Sequence, residues 1–463
     1  MDTSFTELDQ LVSLISTSVA DLKAEYVRLH EPLPSLDDVR KYPFDSKHPP
    51  KGLQQAVLVI QGACAQLSAL VAPPQHTITI RGMDFLTSAC LNVAVNAKVA
   101  DHLLDNIDGL HVSKLAALTG IGQVNLSRVL RLLATKHIFR EVSHNVFANN
   151  RLSITLLSYS PMSSLTGLCT DEILHSSTAL YETITDPDPD NNLTAWSRSM
   201  KYPGPVWEWY QKVDPARAKR FGSAMTGFSS VVTFESTLYG FPWKTQPLGT
   251  KVCDLGGGVG HVSMHLAKAC PQLHIVLQDL PHTIEQAKPL WQENASDIFC
   301  GQRVEFVPID FLKGSPVSGC DFYFMKNVIH NWSDGDTNII FSNIKQAMKS
   351  TSRLLIQEFV IQHVSREAAP GKPDSNDTSK VDLPNLLHGF ISCPSPQAPE
   401  PLLPNYGEGR ILPYYLDIAM MSFINSKERT LDEYRELGKY SGFELVKVWD
   451  CGETDIIEYK PVD

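Results

Sequence analysis

The sequence predicts an α/β chain in which a mostly parallel, Rossmann-like sheet of seven strands follows a largely helical part ending in a winged helix. Three observations carry that expectation. Beyond Lys251, seven short apolar runs alternate with helix-like ones, as in a sheet wound with crossover helices. Between the first run and the next helix stand Gly256, Gly257, Gly258 and Gly260, a turn that lets backbone N–H groups approach a ligand closely. Upstream, residues 84–150 read helix, turn, helix and hairpin, the plan of a winged helix.

From the N-terminus, Thr6 to Leu29 places Leu8, Leu11, Val12, Leu14, Ile15, Val19 and Leu22 at helical spacing. Glu31 to Lys51, rich in Pro, Asp and Lys, reads as a linker. Leu53 to Leu70 is a second helix whose apolar face suits either a core or a second subunit. Phe85 to Leu104 reads as one helix, His111 to Gly120 as a short helix stopped by glycine, and Asn125 to Lys136 as an amphipathic one. Ile138–Val142 and Val146–Ala148 then pair around Ser143-His144-Asn145. Ser153 to Gly249 is mostly helical, with aromatic clusters at Trp207–Tyr210 and Phe221–Met225. The strand-like runs are Lys251–Leu255, His274–Gln278, Val304–Pro308, Cys320–Met325, Arg353–Val360, Glu444–Trp449 and Ile456–Tyr459. Residues 365–413, dense in proline with Gly, Ser, Asn and Asp, predict a long surface excursion. Three parts follow: 1–152 for assembly, 153–245 as a helical connector that helps close a pocket, and 246–463 as the sheet domain with its insertion.

Composition narrows the partners. The 463 residues carry 40 Lys plus Arg against 51 Asp plus Glu, a net charge of -11 that repels phosphate backbones and anionic membranes. The Asn125–Lys136 helix offers a DNA groove only Arg128, Arg131 and Lys136, so the winged helix reads as a subunit contact rather than as a regulator's DNA reader. Nine scattered cysteines, none in a C-x-x-C pair, argue against a disulfide framework or a zinc site and for a reducing compartment. Asp2, Glu7 and Asp9 stand where a secretory signal needs positive charge, and no stretch approaches roughly 18 apolar residues. The expectation is a cytoplasmic protein with neither nucleic acid nor membrane as partner.

The glycine turn reads Val252-Cys253-Asp254-Leu255-Gly256-Gly257-Gly258-Val259-Gly260-His261. A dinucleotide fingerprint needs a small residue where His261 stands, which disfavours an NAD-dependent oxidoreductase. The pattern D-x-G-x-G-x-G is met in full by Asp254, Gly256, Gly258 and Gly260, and belongs to S-adenosylmethionine (SAM) enzymes, whose cofactor has no pyrophosphate. Asp279, one βαβ step later, can accept both ribose hydroxyls. Asp310-Phe311 closes the third strand at the same sheet edge, where ligands of open α/β sheets bind.

Together with Gln278-Asp279-Leu280-Pro281-His282, Phe324 through Asp334, Lys427-Glu428-Arg429-Thr430, Ser441-Gly442-Phe443 and Phe147 through Ser153, these motifs resemble the plant and fungal O-methyltransferases of the caffeic-acid type. The resemblance covers about residues 80–460 and implies a class I SAM-dependent methyltransferase fold with a winged-helix dimerisation domain. It further implies a homodimer that methylates a phenolic hydroxyl of a small aromatic molecule, with S-adenosylhomocysteine as co-product and no metal. A phenol of pKa about 10 is mostly protonated at neutral pH, so a base near pH 7 is needed, and histidine is the natural one. By the resemblance, His330 is that base and Glu358 and Glu428 are the glutamates flanking it. A glutamate inside the apolar strand around Leu354, Ile356 and Phe359 is costly without a purpose, which points to Glu358 independently. The same matching adds Asp279, Leu280, Asp310, Phe311 and Lys326 to the cofactor residues, with Asp310 and Lys326 at the adenine end. Phe221, Met225, Asn331, Trp332, Asp417 and Met420 fall to the substrate pocket, although a methionine among phenylalanines is also what a core contains. Asn331 departs from the plant enzymes, which carry Asp there. It can hydrogen-bond a substrate oxygen but adds no charge.

Overall fold

A computed structural model describes residues 5–45, 49–188, 193–232, 234–366 and 397–462. The wing consists of β1 (Leu110–His111), β2 (Arg140–Ser143) and β3 (Val146–Ala148) in the antiparallel order β1-β3-β2. The expected hairpin thus gains a third strand, and its first strand starts at Arg140 because His137 and Phe139 take positive φ. The main sheet begins with β4 (Thr250–Leu255), β5 (Leu273–Asp279), β6 (Val304–Pro308), β7 (Phe322–Lys326) and β8 (Arg353–Glu358). Two short strands, β9 (Val360–Ile361) and β10 (Arg429–Thr430), pair with each other in parallel. β11 (Phe443–Asp450) and β12 (Asp455–Pro461) return to the main sheet, whose order is β11-β12-β8-β7-β4-β5-β6. Only β12 runs against its neighbours.

The chain leaves β4 toward β5 and β6, then crosses back to β7 on β4's other side. This places the topological switch, where such sheets bind ligands, directly at the glycine turn. The apolar runs of β4, β5, β7 and β8 are buried because helices cover both faces of the sheet. One face carries Tyr323, Met325, Ile340, Phe341, Ile344 and Tyr459, the other Trp243, Phe241, Val252, Ile275, Leu277 and Trp291.

Four sequence expectations change. The helix expected over Phe85–Leu104 breaks at Lys98, which takes a left-handed φ of 50° and separates Phe85–Asn96 from Val99–Leu103. The break turns Val99, Ala100 and Leu103 into the winged-helix core beside Leu126, Leu130 and Leu133. The strand expected over Arg353–Val360 leaves the main sheet at Phe359, so that β9 can pair with β10. Of the expected surface excursion, residues 367–396 lie outside the described residues, and the described end mixes exposed positions such as Glu400 and Leu403 with buried ones. Ala398, Leu402 and Tyr406 are buried against Leu11, Val59 and Ala63, and cover the apolar face of the second helix. A Cβ on Gly62 would run into the Tyr406 carbonyl, which is how close the two backbones come. Finally, Lys51–Val71 and the Pro74–Asn96 stretch are long and apolar enough to cross a membrane by length and composition. Small and polar residues such as Gly62, Ser68 and Asn92 interrupt both stretches, so neither is an unbroken apolar run.

Candidate active site

The carboxyl ends of β4, β5, β7 and β8 bring the singled-out residues to one edge. After β4, Gly256 (φ 69°) donates its N–H to the Gln278 carbonyl at 2.8 Å, locking the turn to β5. A Cβ on Gly256 would press on Val328 and Phe311, whereas one on Gly258 (φ 61°) would meet nothing within 4 Å. The open space lies over Gly258, whose N–H donates to Asp279 Oδ2 at 2.9 Å while Leu280 N–H donates to Oδ1 at 2.7 Å.

Asp254 is buried, and burial pushes its carboxyl up to about 6, with Oδ2 lacking a hydrogen-bond partner. Lys326, at the end of β7, is pushed down to about 8 by burial, against the pull of Cys451, Glu358 and Asp254. Asp310 pairs with Lys313 at 2.7 Å, which holds its carboxyl below the usual range. Phe311 stands edge-on to Trp332 at 5.7 Å. An orphaned buried carboxylate oxygen, an open glycine turn and acids on adjacent strands fit SAM, which carries a sulfonium, an ammonium and ribose hydroxyls. Asp254, Gly256, Gly258, Gly260, Asp279 and Lys326 are the residues that would hold it.

His330 lies on the short turn Ile329–Asn331 after β7. Its Nδ1 is 2.7 Å from Glu428 Oε1 and 3.7 Å from Glu358 Oε2. All three are buried. Glu358 closes β8, and its Oε1 accepts the N–H groups of Val328 and Ile329, both at 2.8 Å. Glu428 precedes β10 and reaches the histidine because Arg429 pairs with Val360, just past Glu358. Burial opposes an imidazolium here, but the charges of Glu358 and Glu428 and the hydrogen bond to Glu428 outweigh it and lift His330 to about 9. Burial lifts Glu358 to about 7 against the pull of His330. With Nδ1 directed at Glu428, Nε2 is the atom left to meet a substrate proton.

The remaining positions are less concentrated. Asp417 Oδ1 accepts the Glu428 N–H at 3.0 Å, so it supports the glutamate's backbone. Met420 follows on the same face of the Leu412–Ile424 helix. Asn331 is exposed and donates to the Asn327 carbonyl at 3.3 Å. Phe221 sits edge-on to Trp207 at 5.0 Å within the aromatic cluster around Trp196, Trp209 and Phe423, and Met225 is 38% exposed one turn further on. Among the described hydrogen bonds and ring contacts, none joins Phe221, Met225 or Met420 to His330. A cavity of about 740 Å³ lies away from all these residues, lined by Tyr26, Lys51, Arg151, Tyr406, Arg410 and Glu453 among others. Two residues next to the His330 cluster carry no role in the sequence motifs. Arg429 is fully buried, and Ser426 Oγ donates to the His330 carbonyl. A charged residue directly beside Glu428 was the available signal for Arg429.

The fold and this edge define a SAM-dependent methyltransferase of class I. Residues 179–377 match the family model of the O-methyltransferase domain, and residues 81–159 match that of the O-methyltransferase dimerisation domain. The "3-O-methyltransferase 2" of Phanerochaete chrysosporium is 37% identical over 455 residues, covering 98% of this chain and 97% of its own. Among solved structures, the mitomycin 7-O-methyltransferase MmcR is 22% identical with a TM-score of 0.64, covering 85% of this chain and all (100%) of its own. CalO1, a methyltransferase in calicheamicin biosynthesis solved with S-adenosylhomocysteine, is 23% identical with a TM-score of 0.60, covering 85% of this chain and 100% of its own. The two structures share the fold. The chain belongs to the SAM-dependent O-methyltransferase family, with the winged-helix region as its dimerisation domain. The DNA-regulator and NAD-oxidoreductase readings are not favoured by these matches.

Proposed function

We propose that the enzyme methylates a phenolic hydroxyl of a small aromatic molecule, with His330 as general base. The observation that carries this reading is the 2.7 Å contact between His330 Nδ1 and Glu428 Oε1, which orients the ring and leaves Nε2 for the phenol proton. When bound, the cofactor supplies the electrophilic methyl group of its sulfonium. Nε2 takes the phenol proton, and Glu428 with Glu358 stabilises the imidazolium that results. Burial of all three groups strengthens that stabilisation, because the local dielectric is low.

The reading includes a homodimer. Its supports are the dimerisation-domain match and the apolar side chains exposed around it, including Ile78, Met83, Phe85 and Leu86. Light scattering should give twice the chain mass of 51.4 kDa. It also includes a cytoplasmic location, supported by eight described cysteines that are all free. Chemistry is tested by a panel of lignin-type phenols, phenylpropanoids and polyketide-type aromatics with methyl-labelled SAM. At least one phenol should gain label, and His330→Ala should lose about 100-fold or more in rate while binding S-adenosylhomocysteine normally by calorimetry. Full turnover by that variant removes the histidine from the mechanism.

A further inference from the structure

Arg429 is enclosed by the segment that carries His330. Its side chain is fully buried, yet every described bond it makes goes to residues 329–334. Nη1 donates to the Ile329 carbonyl at 3.1 Å and Nη2 to the Trp332 carbonyl at 2.8 Å, one carbonyl on each side of His330. Nε and Nη2 both donate to Asp334 Oδ1, at 3.0 and 2.8 Å, fixing the plane of the guanidinium. The His330 carbonyl between them takes the Ser426 hydroxyl, and the Val328 and Ile329 N–H groups take Glu358. The turn is therefore held from both sides by side chains remote in sequence.

The same backbone residue sets the glutamates. Arg429 pairs with Val360 in the β9–β10 ladder, so that Glu428, one residue before Arg429, and Glu358, two residues before Val360, both reach His330. A planar, always charged fork suits this task, because a lysine ammonium cannot hold three acceptors in one plane. The cost of burying a guanidinium is offset only when its N–H groups are paired, as they are here.

We propose that Arg429 is a positioning residue for methyl transfer: it clamps the Ile329–Trp332 turn so that His330 stays aligned with Glu428 and with the substrate oxygen. The inference rests on His330 being the base. It does not involve cofactor binding, since none of the clamp's acceptors belongs to the glycine turn.

The test uses the full-length enzyme and the fastest phenol of the labelled-SAM panel. Arg429→Lys should lower kcat by about 10- to 100-fold, as a misplacement on the order of 1 Å does, with the KM for the phenol and the affinity for S-adenosylhomocysteine unchanged. Asp334→Asn, at a half-exposed site outside the core, should lower kcat less, which keeps the proposal testable if the lysine variant does not fold. The double variant His330→Ala/Arg429→Lys should be no slower than His330→Ala, because both changes act through one group. Wild-type kcat in Arg429→Lys (or in Asp334→Asn, where the lysine variant does not fold), a parallel loss of cofactor affinity, or full additivity in the double variant each overturns the clamp. A normal rate in His330→Ala overturns the base reading and the clamp with it. A slow His330→Ala beside a normal Arg429→Lys overturns the clamp alone.

Discussion

The glycine turn and the His330 cluster share one edge of the sheet but are built in opposite ways. The turn is contiguous in sequence and is tied to β5 by backbone N–H groups: Gly256 donates to the Gln278 carbonyl, and Asp279 accepts from Gly258 and Leu280, while the buried Asp254 Oδ2 has no hydrogen-bond partner. The cluster is assembled from three distant segments, with His330 and Glu428 98 residues apart, and it buries charges whose spare oxygens, Glu358 Oε2 and Glu428 Oε2, have no hydrogen-bond partner. The turn needs a shape, which neighbouring residues can supply. The cluster needs a low-dielectric enclosure around charges, which only packing can supply. Changes at the two places should therefore separate binding from chemistry.

The largest effect is expected at the turn. Gly258→Val forces a branched side chain into a left-handed conformation that costs about 1–2 kcal/mol, and it fills the open space over the turn. Affinity for S-adenosylhomocysteine should fall by more than about 100-fold, or roughly 2.7 kcal/mol, in calorimetry, and unchanged affinity would break the division. Next, Glu428→Gln should lower kcat by about 100-fold with that affinity intact. Glu358→Gln should cost less, about tenfold, because its carboxyl already sits near 7 and an amide oxygen can still accept the Val328 and Ile329 N–H groups.

The pH profile sharpens the comparison further. An imidazolium cannot accept a proton, so activity is lost below the His330 pKa and rises through it. Since His330 is lifted from 6.5 to about 9, the acid limb of kcat/KM should lie above the ordinary histidine value and flatten toward pH 9. A limb at or below 6.5 would contradict the charged enclosure. The smallest effect is expected from a chelator. His330, Glu358 and Glu428 present ligand atoms within 4.8 Å of one another, but Nδ1 is already committed to Glu428. Dialysis against EDTA should leave the rate unchanged, and a loss restored by a divalent ion would assign the cluster to a metal.

Much of this arrangement was legible in the sequence where the determinants are local. Alternating apolar runs gave away the strands, and the glycine spacing marked the turn, since both depend on residues adjacent in the chain. Lys98 was not legible as a helix break, because nothing in Ala97-Lys98-Val99 demands a left-handed residue until the winged-helix core pulls Val99 and Leu103 inward. The partly buried end of the Pro-rich insertion was missed for a related reason. Its composition reads as surface, but Ala398, Leu402 and Tyr406 find a partner in the first two helices. Arg429 stands in the Lys427–Thr430 motif, yet its burial depends on carbonyls of residues 329 and 332.

The sequence by itself determined the α/β class and the glycine turn, because periodicity and glycine spacing are properties of neighbours along the chain; His330, Glu358 and Glu428 were singled out by the motifs that resemble the family's. The tertiary structure decided how Glu358 and Glu428 meet on one nitrogen of His330. That meeting depends on β9 leaving the sheet and on its register with β10, a pairing of distant segments whose favourable energy appears only once the core has formed.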